Sequence, residues 1–296
     1  MKAQTVNLAF KHAFAAVLLV LSLAAPGAAG PLEGADAAYG GGNYAAAVRL
    51  WFPQGVAEAQ RRFLAEAQHR LGVLYYVGHG LPENYAEALR WWSLAANQGL
   101  DRAQLALGFL FENGQGVPKN YTEAARWYRL SADQGLDCAQ FALGVLYENG
   151  QGVAQNFAEA AKWYRLAADQ GLDRAQFNLG VLYKNGQGVP QNYDEALTWW
   201  RLAANQSHDR AQFALGVAHY LGQGLPKDIV RAQMWFYLAA AQAHDEARRN
   251  RDILERQMTP DQIAEAQKLA REWKPTNKQL PRFEYQLPTG TVGEHR

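Results

Sequence analysis

One cysteine, Cys138, stands in 296 residues, so no disulfide can form within the chain in any compartment. Charge is equally uninformative of a polyanionic partner: 29 basic residues face 28 acidic ones, and nucleic acid is not expected as a ligand. No phosphate-binding glycine loop, nucleophile triad or suitably spaced carboxylate pair is present, and no Ser-x-x-Lys follows any serine from Ser93 onward. The sequence therefore offers no catalytic residue, no cofactor site and no metal set of strong spacing. Long hydrophobic runs are also missing, because the stretch from Ala13 to Ala25 is shorter than the roughly 20 residues a spanning helix needs.

That short run has the flanks of a secretory signal. Lys2 and Lys11 precede it, and Gly27, Ala28 and Ala29 supply small residues after it. Cleavage after Ala29 is expected, with no cysteine following it to take a lipid and no stable membrane insertion afterwards. The mature chain would be periplasmic or secreted.

What the sequence has in abundance is itself. Gly-x-Gly turns fall at Gly78/Gly80, Gly114/Gly116, Gly150/Gly152, Gly186/Gly188 and Gly222/Gly224, each 36 residues after the last, a period of the kind that solenoids show. In the copy from Asp137 to Gly171, Ala139, Leu143, Leu146 and Tyr147 share one helical stripe, and Ala160, Ala161, Tyr164 and Ala168 another. Asp137 stands three before Gln140, and Asn156 three before Glu159, the spacing of a capping box at each helix start. Gly144 lies inside the first helix, where glycine costs about 1 kcal/mol relative to alanine, so a close approach between the two helices is predicted there. Paired aromatics such as Trp127/Tyr128, Trp163/Tyr164 and Trp199/Trp200 are expected to fill the space between neighbouring hairpins, since one hairpin alone cannot bury them.

The pattern A-x-x-x-L-G-x-x-Y-x-x-G-x-G-V followed by A-x-x-W-Y-x-x-A-A-x-Q-G resembles the Sel-one-like repeat family, a branch of the tetratricopeptide-like solenoids, from about Tyr39 to Trp273. The resemblance implies an all-α fold, a right-handed superhelical solenoid of 36-residue helix hairpins, whose concave face, lined by the first helices, holds a protein partner. Some cysteine-rich members of that family clamp each hairpin with a disulfide and have been associated with penicillin binding. With one cysteine and no Ser-x-x-Lys, this chain gives no support for that activity.

The expected organisation is a signal over 1–29, a loose mature start over 30–38, a solenoid over 39–274 and a disordered tail over 275–296. Within the solenoid a partial repeat precedes five full ones, and capping helices close it. VAEAQRRF at Val56–Phe63 and LAEAQHRL at Leu64–Leu71 look like a tandem duplication that lengthens either the leading helix or the loop before it. At the other end Ser207 and Ala243 replace the closing glycine, and Thr259-Pro260-Asp261 starts a last helix.

Partner contact is sought where copies differ. The slot two residues before the first turn glycine holds Tyr76, Glu112, Glu148, Lys184 and Tyr220; Glu112, Glu148, Lys184 and Tyr220, with Asn178, are the candidate partner-binding residues, set against plain solvation of a variable face. Arg129, Arg165 and Arg201, with Arg126 and Lys162 alongside, form a ladder on the second helices that suits an acidic peptide or a glycan phosphate. Local neutralisation by Glu123, Asp133, Glu159 and Asp169 is the plainer reading of that ladder. The pairs His208/Asp209 and His244/Asp245, one period apart, raise a metal site against a helix-cap role for Asp209. The function these features favour is a non-catalytic scaffold for an unidentified protein partner, acting in envelope signalling or assembly. A cell-wall or β-lactam hydrolase and a glycan-binding module are the alternatives.

Overall fold

The computed structural model describes residues 56–78 and 82–275, with side chains from residue 64 onward. The signal, the mature start, the partial repeat before residue 56 and the tail beyond residue 275 lie outside the described residues. Twelve helices and no strand occur among those described: α1 (Val56–Val77), α2 (Tyr85–Asn97), α3 (Asp101–Asn113), α4 (Tyr121–Asp133), α5 (Asp137–Asn149), α6 (Phe157–Asp169), α7 (Asp173–Asn185), α8 (Tyr193–Ala204), α9 (Asp209–Leu221), α10 (Ile229–Ala241), α11 (Asp245–Glu255) and α12 (Pro260–Glu272). The fold is an all-α solenoid of consecutive helix hairpins. Its residues group into two compact units, one reaching Ala103 and one beginning at Gln104.

In the first unit α1 packs on α2. The tandem duplication is absorbed by the helix, since α1 runs for 22 residues where α3, α5, α7 and α9 each run for 13. In the second unit α4 packs on α5, α5 on α6 and so on along the chain, until α10 receives both α11 and α12. None of the described helices is long and apolar enough to cross a membrane.

The close approach predicted at the mid-helix glycine is present in every hairpin. A Cβ on Gly144 would sit 2.7 Å from the Tyr164 ring, and one on Gly108 would sit 2.4 Å from the Tyr128 ring. Trp92, Trp200 and Phe236 cover Gly72, Gly180 and Gly216 in the same way. The paired aromatics thus divide their work. The second of each pair closes its own hairpin over the glycine, while the first reaches back to the hairpin before. Trp163 lies in the core that α4 and α5 share, and Trp199 in the core of α6 and α7.

The helix starts correct the capping expectation. Asn120, Asn156 and Asn192 do cap the second helices, each accepting from two backbone N–H groups at 3.0–3.1 Å, but the glutamate half of the box is missing because their own N–H groups donate to the Phe111, Tyr147 and Tyr183 carbonyls at 2.8–2.9 Å. Asp137 and Gln140 form no such box. The cap residue is Leu136, which has no side-chain bond, and Asp137 is already inside the helix, accepting from the Cys138 N–H at 2.7 Å. Gln140 is buried and belongs to a different device. Its Nε2 donates to the Ala132 carbonyl of the preceding hairpin at 3.3 Å, while its Oε1 accepts from Gln170 of its own hairpin at 2.8 Å. The same glutamine pair recurs as Gln98/Gln68, Gln134/Gln104, Gln206/Gln176 and Gln242/Gln212, always 30 residues apart. Buried amides cost little only when both ends are satisfied, and in each of these five pairs the carbonyl of the first-helix glutamine is met within its own hairpin.

The closing slot of the hairpin is left-handed in all copies. Gly135 and Gly171 hold it at φ 97° and 94°, with open space where a Cβ would be, whereas Ser207 and Ala243 hold it at φ 64° and 67° without being glycine. A left-handed L-residue costs roughly 1–2 kcal/mol, so Ala243→Gly is expected to stabilise the protein by about 1 kcal/mol after glycine's entropy is subtracted. The urea midpoint should rise; an unchanged or lower midpoint would refute the strain.

At the C-terminal end, α11 and α12 each pack on α10 and lack the repeat's signature. Thr259 and Gln262 make the reciprocal capping box in full. Ala266 is buried, Ile263 packs beside Phe236 and Leu254, and Leu269, Ala270 and Trp273 cover the core around Trp200 and Trp235. Trp273 meets Trp235 edge to face at 5.9 Å.

Candidate functional site

The variable slot ahead of the turn glycine is coupled to the aromatic that covers the mid-helix glycine. Where that aromatic is tyrosine, the slot is glutamate. The Tyr128 hydroxyl donates to Glu112 at 2.5 Å, and the Tyr164 hydroxyl donates to Glu148 at 2.5 Å. Where it is tryptophan, the indole N–H goes to a backbone carbonyl of the first helix instead, Trp92 to His69 at 3.0 Å and Trp200 to Phe177 at 3.2 Å. The slot is then Tyr76, which is 6% exposed, or Lys184. With Phe236 as the aromatic, the slot is Tyr220, which is 41% exposed.

Glu112 and Glu148 are therefore hydrogen-bonded inside their hairpins and half-buried. The Asn178 side chain lies near the Tyr164 hydroxyl and opposes the rise of that phenol's pKa. Burial raises the Glu112 carboxyl above the usual range, with the Tyr128 hydrogen bond and Lys119 working against the shift. Burial and the neighbouring carboxylates push the Tyr128 and Tyr164 phenols well up, so both stay neutral donors. A charge reversal at either glutamate removes an internal bond together with a surface charge. Lys184, half-buried, and Tyr220, exposed, are the candidates whose side chains form no bond among the described residues. Sequence reasoning had access to this coupling, since tyrosine and glutamate keep a fixed separation of 16 residues in two successive copies.

The basic ladder is neutralised in part, at Arg126 and Lys162 but, among the described residues, not at Arg129 and Arg165. Glu123 pairs with Arg126 at 3.1 Å and Glu159 with Lys162 at 3.9 Å, both on the exposed surface. Arg129 instead donates to the Tyr147 hydroxyl and lies over the Trp163 ring, 5.2 Å from its centroid. Arg165 repeats this with Tyr183 and Trp199, 5.5 Å from the indole centroid.

The His-Asp pairs cap helices, but through the histidine. His208 Nδ1 accepts from the Ala211 N–H at 3.2 Å and His244 Nδ1 from the Ala247 N–H at 3.1 Å, with the rings stacked on Phe177 and Phe213. This corrects the role given to Asp209, which is the first residue inside α9. An accepting Nδ1 must be unprotonated, and burial lowers the His208 pKa accordingly. Among the described residues no group of three or more His, Cys, Asp or Glu is placed to hold a metal ion. Cys138 is exposed at the start of α5.

A solenoid of near-identical hairpins, each closed by a glycine under an aromatic and tied by a glutamine pair, defines a repeat protein. Five stretches, residues 65–100, 101–136, 139–172, 173–208 and 209–244, match the Sel1 repeat and together cover more than half of the sequence, so the chain belongs to the Sel1 repeat family. Proteins of this family are generally scaffolds for protein–protein interaction and typically non-catalytic. Among solved structures, a Sel1 repeat protein from Oxalobacter formigenes is 34% identical, with a TM-score of 0.59 over 70% of this chain and 83% of the other. The protective antigen c5321 of uropathogenic Escherichia coli, described as displaying an SLR fold, is 29% identical with a TM-score of 0.65. That match covers 82% of this chain, which spans only 53% of the antigen's length. No curated protein matches the chain.

Proposed function

We propose that the chain is a periplasmic or secreted, non-catalytic scaffold that holds a protein partner along its first helices, in service of an envelope signalling or assembly complex. The observation that carries this reading is the placement of Lys184 and Tyr220 at equivalent slots of successive hairpins, with no side-chain bond among the described residues, while the repeated residues around them are consumed in packing. A preformed surface of this kind costs little ordering on binding. The address rests on the basic flank, short apolar run and small residues of the first 29 positions.

Crosslinking capture from envelope extract tests the reading, with the wild-type chain compared to Lys184→Glu/Tyr220→Ala. A protein retained by the first and lost by the second, at equal melting temperature, is the expected result. Equal capture by both removes the first-helix surface from the account. For the address, the envelope fraction should yield a chain beginning at Gly30; a full-length cytosolic chain would overturn it.

A further inference from the structure

We propose that Arg129/Tyr147/Trp163 and Arg165/Tyr183/Trp199 form two consecutive receptor sites for the carboxylates of an acidic polypeptide segment. This rests on the scaffold reading and gives the partner's chemistry. Each site is built from three helices: an arginine on one second helix, a tyrosine near the end of the next first helix, and a tryptophan on the next second helix. The guanidinium carbon lies 5.5 Å from the tyrosine ring centroid and 5.2 or 5.5 Å from the indole centroid, so two aromatic rings and the bond to the phenol oxygen hold it in place.

What the sites lack, among the described residues, is a carboxylate. Each arginine donates to the tyrosine oxygen, which leaves that phenol's own proton to be given elsewhere. No carboxylate pairs with Arg129 or Arg165 among the described residues; the nearby Glu123 and Glu159 are engaged with Arg126 and Lys162. Among the described residues the buried indole N–H groups of Trp163 and Trp199 meet no acceptor, and the two residues are only 5% and 8% exposed. A donor-rich, acceptor-poor arrangement repeated one hairpin apart calls for anions arranged along a strand. A planar, held guanidinium favours a carboxylate by paired, charge-assisted hydrogen bonds.

The ends of the series point the same way. In the next hairpin His219 takes the tyrosine's place and Arg201 is exposed. One hairpin further, at the cap, Tyr237 stands in the arginine slot and donates to Glu255 in the tyrosine slot. At this last position the pair is reversed in character, a phenol donor facing a carboxylate of the chain's own.

The test is fluorescence anisotropy with a labelled peptide of alternating Glu and Ser, and its Gln-for-Glu analogue, titrated with the full chain at low salt. The Glu peptide should bind, weaken as salt rises, and alter tryptophan emission, while the Gln peptide should not bind. A charged hydrogen bond contributes about tenfold in affinity, so Arg129→Gln and Arg165→Gln should each lose about that factor and the double variant more. Arg129→Lys, which keeps charge without the planar fork, should lose most of it too, and circular dichroism should show all variants folded. Equal binding by the Gln peptide, undiminished binding by a folded double variant, or no binding of the Glu peptide to wild type would each overturn the proposal. Arginine-dependent binding of a sulfated glycan in place of the Glu peptide would overturn the ligand class. The scaffold reading fails separately, through the Lys184→Glu/Tyr220→Ala capture.

Discussion

Gly152→Ala should destabilise the second unit by about 2–5 kcal/mol, far more than the same change at Gly171. Both glycines have positive φ, so both pay for a left-handed alanine. They differ in what the new methyl meets. At Gly171 nothing lies within 4 Å, whereas at Gly152 the Cβ would fall 2.2 Å from the backbone carbon and oxygen of Tyr121, at the start of the preceding hairpin's second helix. Backbone cannot rotate aside as a ring can, so the two hairpins must separate. Gly188 against Phe157 is the same case. Because a stack of repeats is held by neighbour contacts, the damage should appear as a split or broadened urea transition, with the Gly171→Ala melt remaining single. Equal midpoint losses in the two variants would show that the second turn glycine is not a contact between hairpins.

The second large effect is the part of the acid sensitivity that His69 contributes, beside the smaller parts of His208 and His219, whose pKa values burial also lowers. His69 is 2% exposed, in a position that Phe141, Phe177 and Phe213 occupy in later copies, and burial lowers its pKa from 6.5 to about 4. Glu66 and Asp101 oppose that shift, and Arg102 and Arg70 add to it. For a histidine with a depressed folded pKa, the unfolded chain takes up the proton first. Stability is therefore full above about pH 6.5 and falls as pH is lowered toward 4, by about 3 kcal/mol in all. His69→Phe installs the residue the repeat itself prefers and should remove that loss. Glu112 works in the other direction, since a raised carboxyl pKa gains stability when it is protonated, so the difference between wild type and variant isolates the histidine. Urea midpoints at pH 7, 6, 5 and 4 provide the check, and parallel pH profiles would exclude His69 as the source.

The hairpins and the glycine under each aromatic were legible in the sequence because both recur at a fixed interval and each has one physical explanation. The capping boxes at Asp137/Gln140 were misleading for a related reason. Asp-x-x-Gln has the right spacing for a box, but the glutamine's true partner is 30 residues away, and only the three-dimensional hairpin brings Gln170 to it. Glu112 and Glu148 show the limit of treating variation between copies as freedom. Their slot varies because the facing aromatic varies, and one residue type satisfies the other. Lys184 and Tyr220 stand out only after that internal pairing is subtracted.

The glutamine pairs also act as a ruler for growth of the protein. Gln140 and Gln176 each clasp the C-terminal end of their own second helix and the end of the one before, so an insertion or deletion of part of a unit would leave a buried amide stranded. A gain or loss of 36 residues, wherever its breakpoints fall between matching positions, joins like to like and restores every clasp. Length in this lineage is thereby free to change in whole steps and is resisted between them.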